Sequence, residues 1–151
     1  MGGCNVILKN GIPFLNEKPT IILGADVTHP APGESRPSVV AVVGSMDKYG
    51  FKYSGRIKVQ DSGQEVIDGL KFLVYELLAT FYRQHHVYPH RILFYRDGVS
   101  EGQYAEVLEK EVSAVKEACN HINGKDIRSF CSVGFYCLLM KESLGETDII
   151  F

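Results

Sequence analysis

The sequence predicts an α/β fold, in which a mixed sheet carries helices packed against it. Three observations lead there. Apolar, β-branched runs recur at 20–25, 38–46 and 91–96. Apolar and polar residues alternate between 51 and 59, the period of a strand. Two later stretches, 66–81 and 104–119, carry apolar residues at helical spacing. The order β-β-β-α-β-α joins a hairpin to flanking helices, which is a mixed layered architecture.

The elements follow in order. Residues 1–18 mix Gly, Asn and Pro with short apolar pieces and read as a connector from a preceding domain. The run 20–25 ends at Asp26 and suits a strand buried on both faces. Three prolines and a glycine between Thr28 and Pro37 demand a loop. The run 38–46 is the second strand, and Asp47 to Gly50 reads as a four-residue turn. Phe51, Tyr53, Ile57 and Val59 alternate with Lys52, Ser54, Arg56 and Lys58 in the third, whose charged side is expected to be solvated.

Val66, Leu70, Leu73, Val74, Leu77 and Phe81 then predict a helix. Ser62 is its expected N-cap, with Glu65 closing a capping box. It should end near His85 and His86, before Pro89. The fourth strand, 91–96, leads to Asp97-Gly98. Ser100 and Gln103 form a second expected box, and Tyr104, Val107, Leu108, Val115 and Cys119 line the helix that follows, with Gly124 as its stop. Residues 19–124 are thus the core of the domain. Beyond 124 the pattern weakens into a divergent tail in which 130–140 suggests one more strand, interrupted by Gly134 and two cysteines.

At 151 residues the chain fits one domain with a sizeable core. Apolar residues at 45% against 23% charged exclude a disordered chain. A net charge of −2 gives no support to nucleic-acid binding, though acidic residues are what a cation site requires. Cys4, Cys119, Cys131 and Cys137 form no C-x-x-C pair and no zinc spacing. Free thiols suit an intracellular protein, and a cytoplasmic location, with the nucleus second, is expected. No secretory signal opens the chain, Val6 breaks the myristoylation pattern, and the apolar run 133–140 is too short to span a bilayer.

Asp26 and Asp97 each close an apolar strand. Ligand sites in α/β sheets gather beyond strand ends. If the two strands are parallel neighbours, both carboxylates reach one spot, where a divalent cation would offset their repulsion. Taken singly, each aspartate is a turn or cap residue, and Asp97-Gly98 is a common turn dipeptide.

Longer blocks surround both. Leu23-Gly24-Ala25-Asp26-Val27-Thr28-His29-Pro30 resembles the opening signature of the PIWI domain of eukaryotic Argonaute proteins. Val42-Val43-Gly44-Ser45-Met46-Asp47 is similar to the next segment, and Phe94-Tyr95-Arg96-Asp97-Gly98-Val99-Ser100-Glu101-Gly102-Gln103 to the most recognisable block. The resemblance runs from Gly2 to Cys119 and implies an RNase H-like mixed sheet, incomplete here at the C-terminus. It implies a small-RNA-guided slicer acting in RNA silencing, an endonuclease that cuts target RNA paired to a guide RNA. The implied set is Asp, Glu, Asp and a final His or Asp, with Mg2+, or Mn2+ in its stead. Asp26 and Asp97 match the two aspartates as metal ligands, and Glu65 in Gln64-Glu65-Val66-Ile67 matches the glutamate. Spacing alone would make Glu65 a cap. The fourth member has no match, because His121 lies too close to Asp97. A truncated fragment, catalytically incomplete by itself, is therefore expected. The implied partners are guide and target RNA, with silencing-complex proteins, and no membrane.

Other residues carry less. His29 beside Pro30 reads as a structural loop histidine. His85, His86 and His90 sit where a helix dipole favours positive charge. Lys52, Arg56 and Lys58 can touch phosphates, and Tyr49, Phe51 and Tyr53 can stack on bases, but a solvated strand face explains the first three more simply, and core and hairpin packing the second three. A non-catalytic nucleic-acid-binding module is the alternative function. An aspartyl phosphotransferase with Asp26 as nucleophile wants a second aspartate where Thr28 stands, and neither glycine-rich nucleotide-binding motif occurs.

Overall fold

The computed structural model describes residues 13–47, 49–122, 132–139 and 149–150, the last two stretches as backbone. A short helix, α1 (Pro13–Glu17), lies in the stretch read as connector. The strands are β1 (Thr20–Thr28), β2 (Ser38–Ser45), β3 (Tyr53–Gln60), β4 (Arg91–Val99), β5 (Ser132–Leu139) and β6 (Ile149–Ile150). The helices are α2 (Leu70–His85) and α3 (Tyr104–Ile122), the latter entered through a 3-10 turn at Glu101–Gln103. The sheet order is β3-β2-β1-β4-β5-β6. β1 to β3 form an antiparallel meander, β4 and β5 run parallel to β1 and to each other, and β6 returns antiparallel. The mixed sheet with flanking helices is the architecture expected, and β5 is the strand suggested within 130–140.

The core lies between one sheet face and the two helices. Ile21, Leu23 and Ala25 of β1, Val40 and Val42 of β2, and Ile92 and Phe94 of β4 meet Val74, Leu77, Leu78 and Phe81 of α2 and Val115 and Ala118 of α3. Each of the larger side chains among them, the Val, Leu, Ile and Phe residues, contributes about 1.5–3 kcal/mol on full burial. The opposite face is open among the described residues, with Val39, Val43, Ile57 and Val59 exposed. β1 is therefore fully buried on one face only, since Ile22 and Gly24 stay half-buried.

Several expectations are overturned. Arg56 and Lys58 of β3 are not a solvated row. Arg56 reaches under α2 to Glu76 at 2.6 Å and Thr80 at 3.2 Å, and Lys58 to the Asp68 carboxylate at 2.5 Å. The overhanging helix, and for Lys58 the segment just before it, supply polar partners while the long stems cover apolar surface. The apolar residues Tyr53, Ile57 and Val59 take the exposed face instead. Tyr49 and Phe51 stack on each other at the surface, at 6.3 Å, rather than joining the core.

The second correction concerns the start of α2. Residues 61–69 are not helical, and Ser62 and Glu65 form no capping box. The helix starts after Gly69, whose φ of 68° a side chain would strain and over which the Lys58 ammonium sits. Its C-terminus falls at His85 as expected, with His86 in the left-handed region. Ser100 and Gln103 form no capping box either: no side chain caps a backbone N–H there, and the Ser100 hydroxyl donates instead to Gln103 Oε1 at 2.7 Å. Gly124 lies outside the described residues. Among the described residues no helix is long and apolar enough to cross a membrane.

Candidate functional site

The parallel pairing of β1 with β4 brings the two aspartates together. Ala25 is in register with Arg96, so Asp26 and Asp97 follow side by side toward the C-terminal ends of their strands. Neither ends its strand: β1 continues to Thr28 and β4 to Val99. Alternation along both strands puts both carboxylates on the open face, since Ala25 and Arg96 point into the helix side. The β4 ladder is irregular between Arg96 and Val99. Gly98 adopts a φ of 78° there, and its N–H donates to Asp97 Oδ1 at 2.8 Å. A Cβ on Gly98 would stand 3.4 Å from Asp26 Oδ1, so the Asp26 carboxylate lies directly over the glycine.

Glu65 stands elsewhere in the network. It lies on the irregular segment between β3 and α2, and its side chain is 11% exposed. Arg96 Nη2 donates to Glu65 Oε1 at 2.7 Å and to the Glu65 carbonyl at 2.9 Å. His29, just past β1, meets Oε2 through Nε2 at 2.9 Å. With a carboxylate accepting there, Nε2 carries the proton, and Nδ1 pairs with Ser38 Oγ at 2.8 Å. His29 thus links Ser38 to Glu65. Among the described residues no three His, Cys, Asp or Glu side chains are grouped to hold a metal ion. The structure gathers Asp26 with Asp97 and keeps Glu65 on Arg96 and His29.

Arg96 and Glu111 escaped the sequence reading. Arg96 is wholly buried and touches both carboxylates, Glu65 as above and Glu111 at 3.3 Å. A third arm donates to the carbonyl of Asp97. Glu111, on the buried face of α3, also accepts from the Ile67 N–H at 3.1 Å. Burial pushes its carboxyl above the ordinary 4.5, with Arg96 opposing the shift. A signal existed for both residues: Arg96 has the parity of Ile92 and Phe94, and Glu111 lies four residues from Val107 and from Val115.

The remaining candidates are accounted for locally. His85 Nε2 donates to the Met46 carbonyl at 2.8 Å while its ring packs on Phe81. His121 sits in the last turn of α3, edge-on to Tyr75. Cys119 carries a buried thiol, and Cys4, Cys131 and Cys137 fall outside the side chains described.

Comparison with known proteins agrees with this fold. The sequence profile of the Piwi domain matches residues 1–133. Kluyveromyces polysporus Argonaute with a guide RNA is 28% identical over 84% of this chain, with a TM-score of 0.73. The MID-PIWI domains of N. crassa QDE-2 are 27% identical over 90% of it, with a TM-score of 0.74. Drosophila Piwi, at 20% identity over 80% of this chain and 16% of its own, shares the fold with a TM-score of 0.65. The chain spans 14% of the first solved chain and 39% of the second. Its mixed sheet is RNase H-like, and with most of its length matched the chain belongs to the Piwi domain family, of the type found in eukaryotic Argonaute proteins.

Proposed function

We propose that the chain is part of a small-RNA-guided RNA-binding and RNA-cleaving protein of RNA silencing, acting in the cytoplasm. Asp26 and Asp97 are its metal carboxylates and Glu65 its third catalytic residue. The observation that carries the reading is the juxtaposition of Asp26 and Asp97 on one open face, with Gly98 leaving room above the strand. The solved relatives are Argonaute proteins, one of them with a guide RNA, which supports guide and target RNA as partners of the longer protein.

The donor set fits Mg2+ or Mn2+: hard oxygen ligands, and a small ion commonly held by one or two carboxylates. When bound, the metal activates water and stabilises the leaving oxygen of a phosphodiester. The residues of this chain do the electrostatic work around it. Asp26 and Asp97 concentrate negative charge at one point. Arg96 offsets the charge of Glu65, and Arg96 and His29 together fix its orientation, so that its lone pairs point in set directions.

The test supplies this chain with magnesium and a guide–target RNA duplex and looks for a single cut in the target. No detectable cleavage is expected, because no residue matches the final His or Asp of the set. A single cut that disappears in Asp97→Ala would overturn the incompleteness. Mn2+ binding that is unchanged in Asp26→Asn would overturn the metal assignment and favour the non-catalytic RNA-binding module.

A further inference from the structure

We propose that Glu111 is a positioning residue: as shared acceptor for the Ile67 N–H and the Arg96 Nε–H, it sets where the Glu65 carboxylate stands. The inference rests on the reading of Glu65 as a catalytic residue. Its observations are independent of the metal.

The segment 61–69 has no regular ladder, so side chains from three elements define its path. Gln60 of β3 donates to the Gln64 and Val66 carbonyls and accepts from the Asp68 N–H. Arg96 of β4 holds the Glu65 carbonyl at 2.9 Å. Glu111 of α3 holds the Ile67 N–H at 3.1 Å, two residues beyond Glu65. Glu111 therefore fixes Glu65 through the backbone on one side.

It also acts through the guanidinium. Arg96 Nε stands 3.3 Å from both Glu111 oxygens, Nη2 donates to Glu65, and Nη1 donates to the Asp97 carbonyl. Each edge of this planar group is committed to a different element. Turning its Nε edge away from Glu111 turns Nη2 away from Glu65. Stability alone does not call for a carboxyl here. A buried ion pair is often matched by apolar residues of the same volume, and Glu111 Oε2 has no hydrogen-bond partner among the described residues, which is a further cost. The group is explained by what it orients.

Two variants of the full chain separate orientation from packing. Glu111→Met keeps the volume and removes the acceptor, whereas Glu111→Gln keeps an oxygen at Oε1. Solution NMR without metal reads the Ile67 amide exchange, the Arg96 Nε–H signal and the Glu65 carboxyl-carbon shift. Added Mn2+ reads the broadening of Glu65 relative to Asp97. In the wild type, Ile67 should exchange far more slowly than the exposed Gly63. In Glu111→Met, Ile67 exchange should rise at least about tenfold while the core amide of Leu77 holds. The Arg96 signal should vanish, and the Glu65 shift and relative broadening should change. Glu111→Gln should restore wild-type values. A folded Glu111→Met protein with an unchanged Glu65, or failure of Glu111→Gln to restore it, overturns the proposal. If Glu111→Met does not fold, wild-type Ile67 exchanging as fast as Gly63, or a Glu65 displaced in Glu111→Gln, does the same. Absence of Mn2+ broadening at Asp26 and Asp97 would refute the metal reading alone, because the metal-free signals still decide the role of Glu111.

Discussion

Asp26 and Gly98 meet across the seam between β1 and β4: the Asp26 carboxylate lies where a side chain on Gly98 would project, 3.4 Å from the position of its Cβ. The glycine answers two demands at once. Its φ of 78° suits the irregular end of the β4 ladder, and its missing Cβ leaves the face between the aspartates open. Gly98→Ala should therefore lower stability by about 1–2 kcal/mol, the cost of a left-handed L-residue. It should also weaken Mn2+ binding, since the new methyl touches Asp26 Oδ1. Urea denaturation and a Mn2+ titration check the pair. Unchanged stability with unchanged Mn2+ affinity would remove the glycine from the site.

The second expectation sets stability against function. Asp26 and Asp97 are like charges side by side, and without a cation they repel. Asp97→Asn keeps the oxygen that accepts the Gly98 N–H and removes one charge. In metal-free buffer it should raise stability by up to about 1 kcal/mol, the scale of a short, solvent-screened repulsion. The same variant should bind Mn2+ at least about tenfold more weakly, a loss of 1.4 kcal/mol or more. A variant that is both less stable and equally metal-competent would mean that the aspartate only shapes a turn.

A third expectation concerns the buried cation. Arg96→Met leaves Glu111 wholly buried and Glu65 nearly so without their counter-charge. Breaking a buried pair from one side costs about 3–5 kcal/mol. Combining Arg96→Met with Glu111→Met should recover the part of that loss that belongs to Glu111, while Glu65 stays without its partner. Urea midpoints of the two single variants and the double variant measure the coupling. Additive losses would mean that the two side chains do not interact.

Much of this was legible in the sequence, for physical reasons that differ by element. Periodicity marked the strands and α3 because burial on one face is a strong, repeated signal. The pair Asp26 and Asp97 was visible from matched placement after two apolar runs, and only the parallel register made them neighbours. The start of α2 was misjudged because Ser62 and Glu65 have cap spacing, while tertiary side chains from Gln60, Arg96 and Glu111 claim the backbone of that segment. The facing of β3 was inverted because charge was taken for solvation. An edge strand beneath a helix bearing Glu76 and Thr80 turns its cations inward. Arg96 and Glu111 broke the apolar pattern at core positions, and such breaks mark a buried polar network.

The ionisation of Glu111 yields the last expectation, and its sign follows from linkage. In the folded chain burial raises its carboxyl above the 4.5 of the free group; Arg96 opposes this and Glu65 adds to it. Between 4.5 and the folded value the native state binds more protons than the unfolded state, so stability falls as pH rises through that window. Below 4.5 both states are protonated and the penalty is absent; above the folded value it is complete and constant. Glu111→Gln cannot titrate and carries no such penalty. The stability of Glu111→Gln relative to wild type should therefore climb from pH 4.5 upward and then level off. Taking the difference between the two proteins cancels the other carboxylates, including Asp68, which Lys58 holds below its ordinary range. Urea denaturation followed by circular dichroism at a series of pH values reads it out. A relative stability that falls with rising pH would mean that Arg96 outweighs burial.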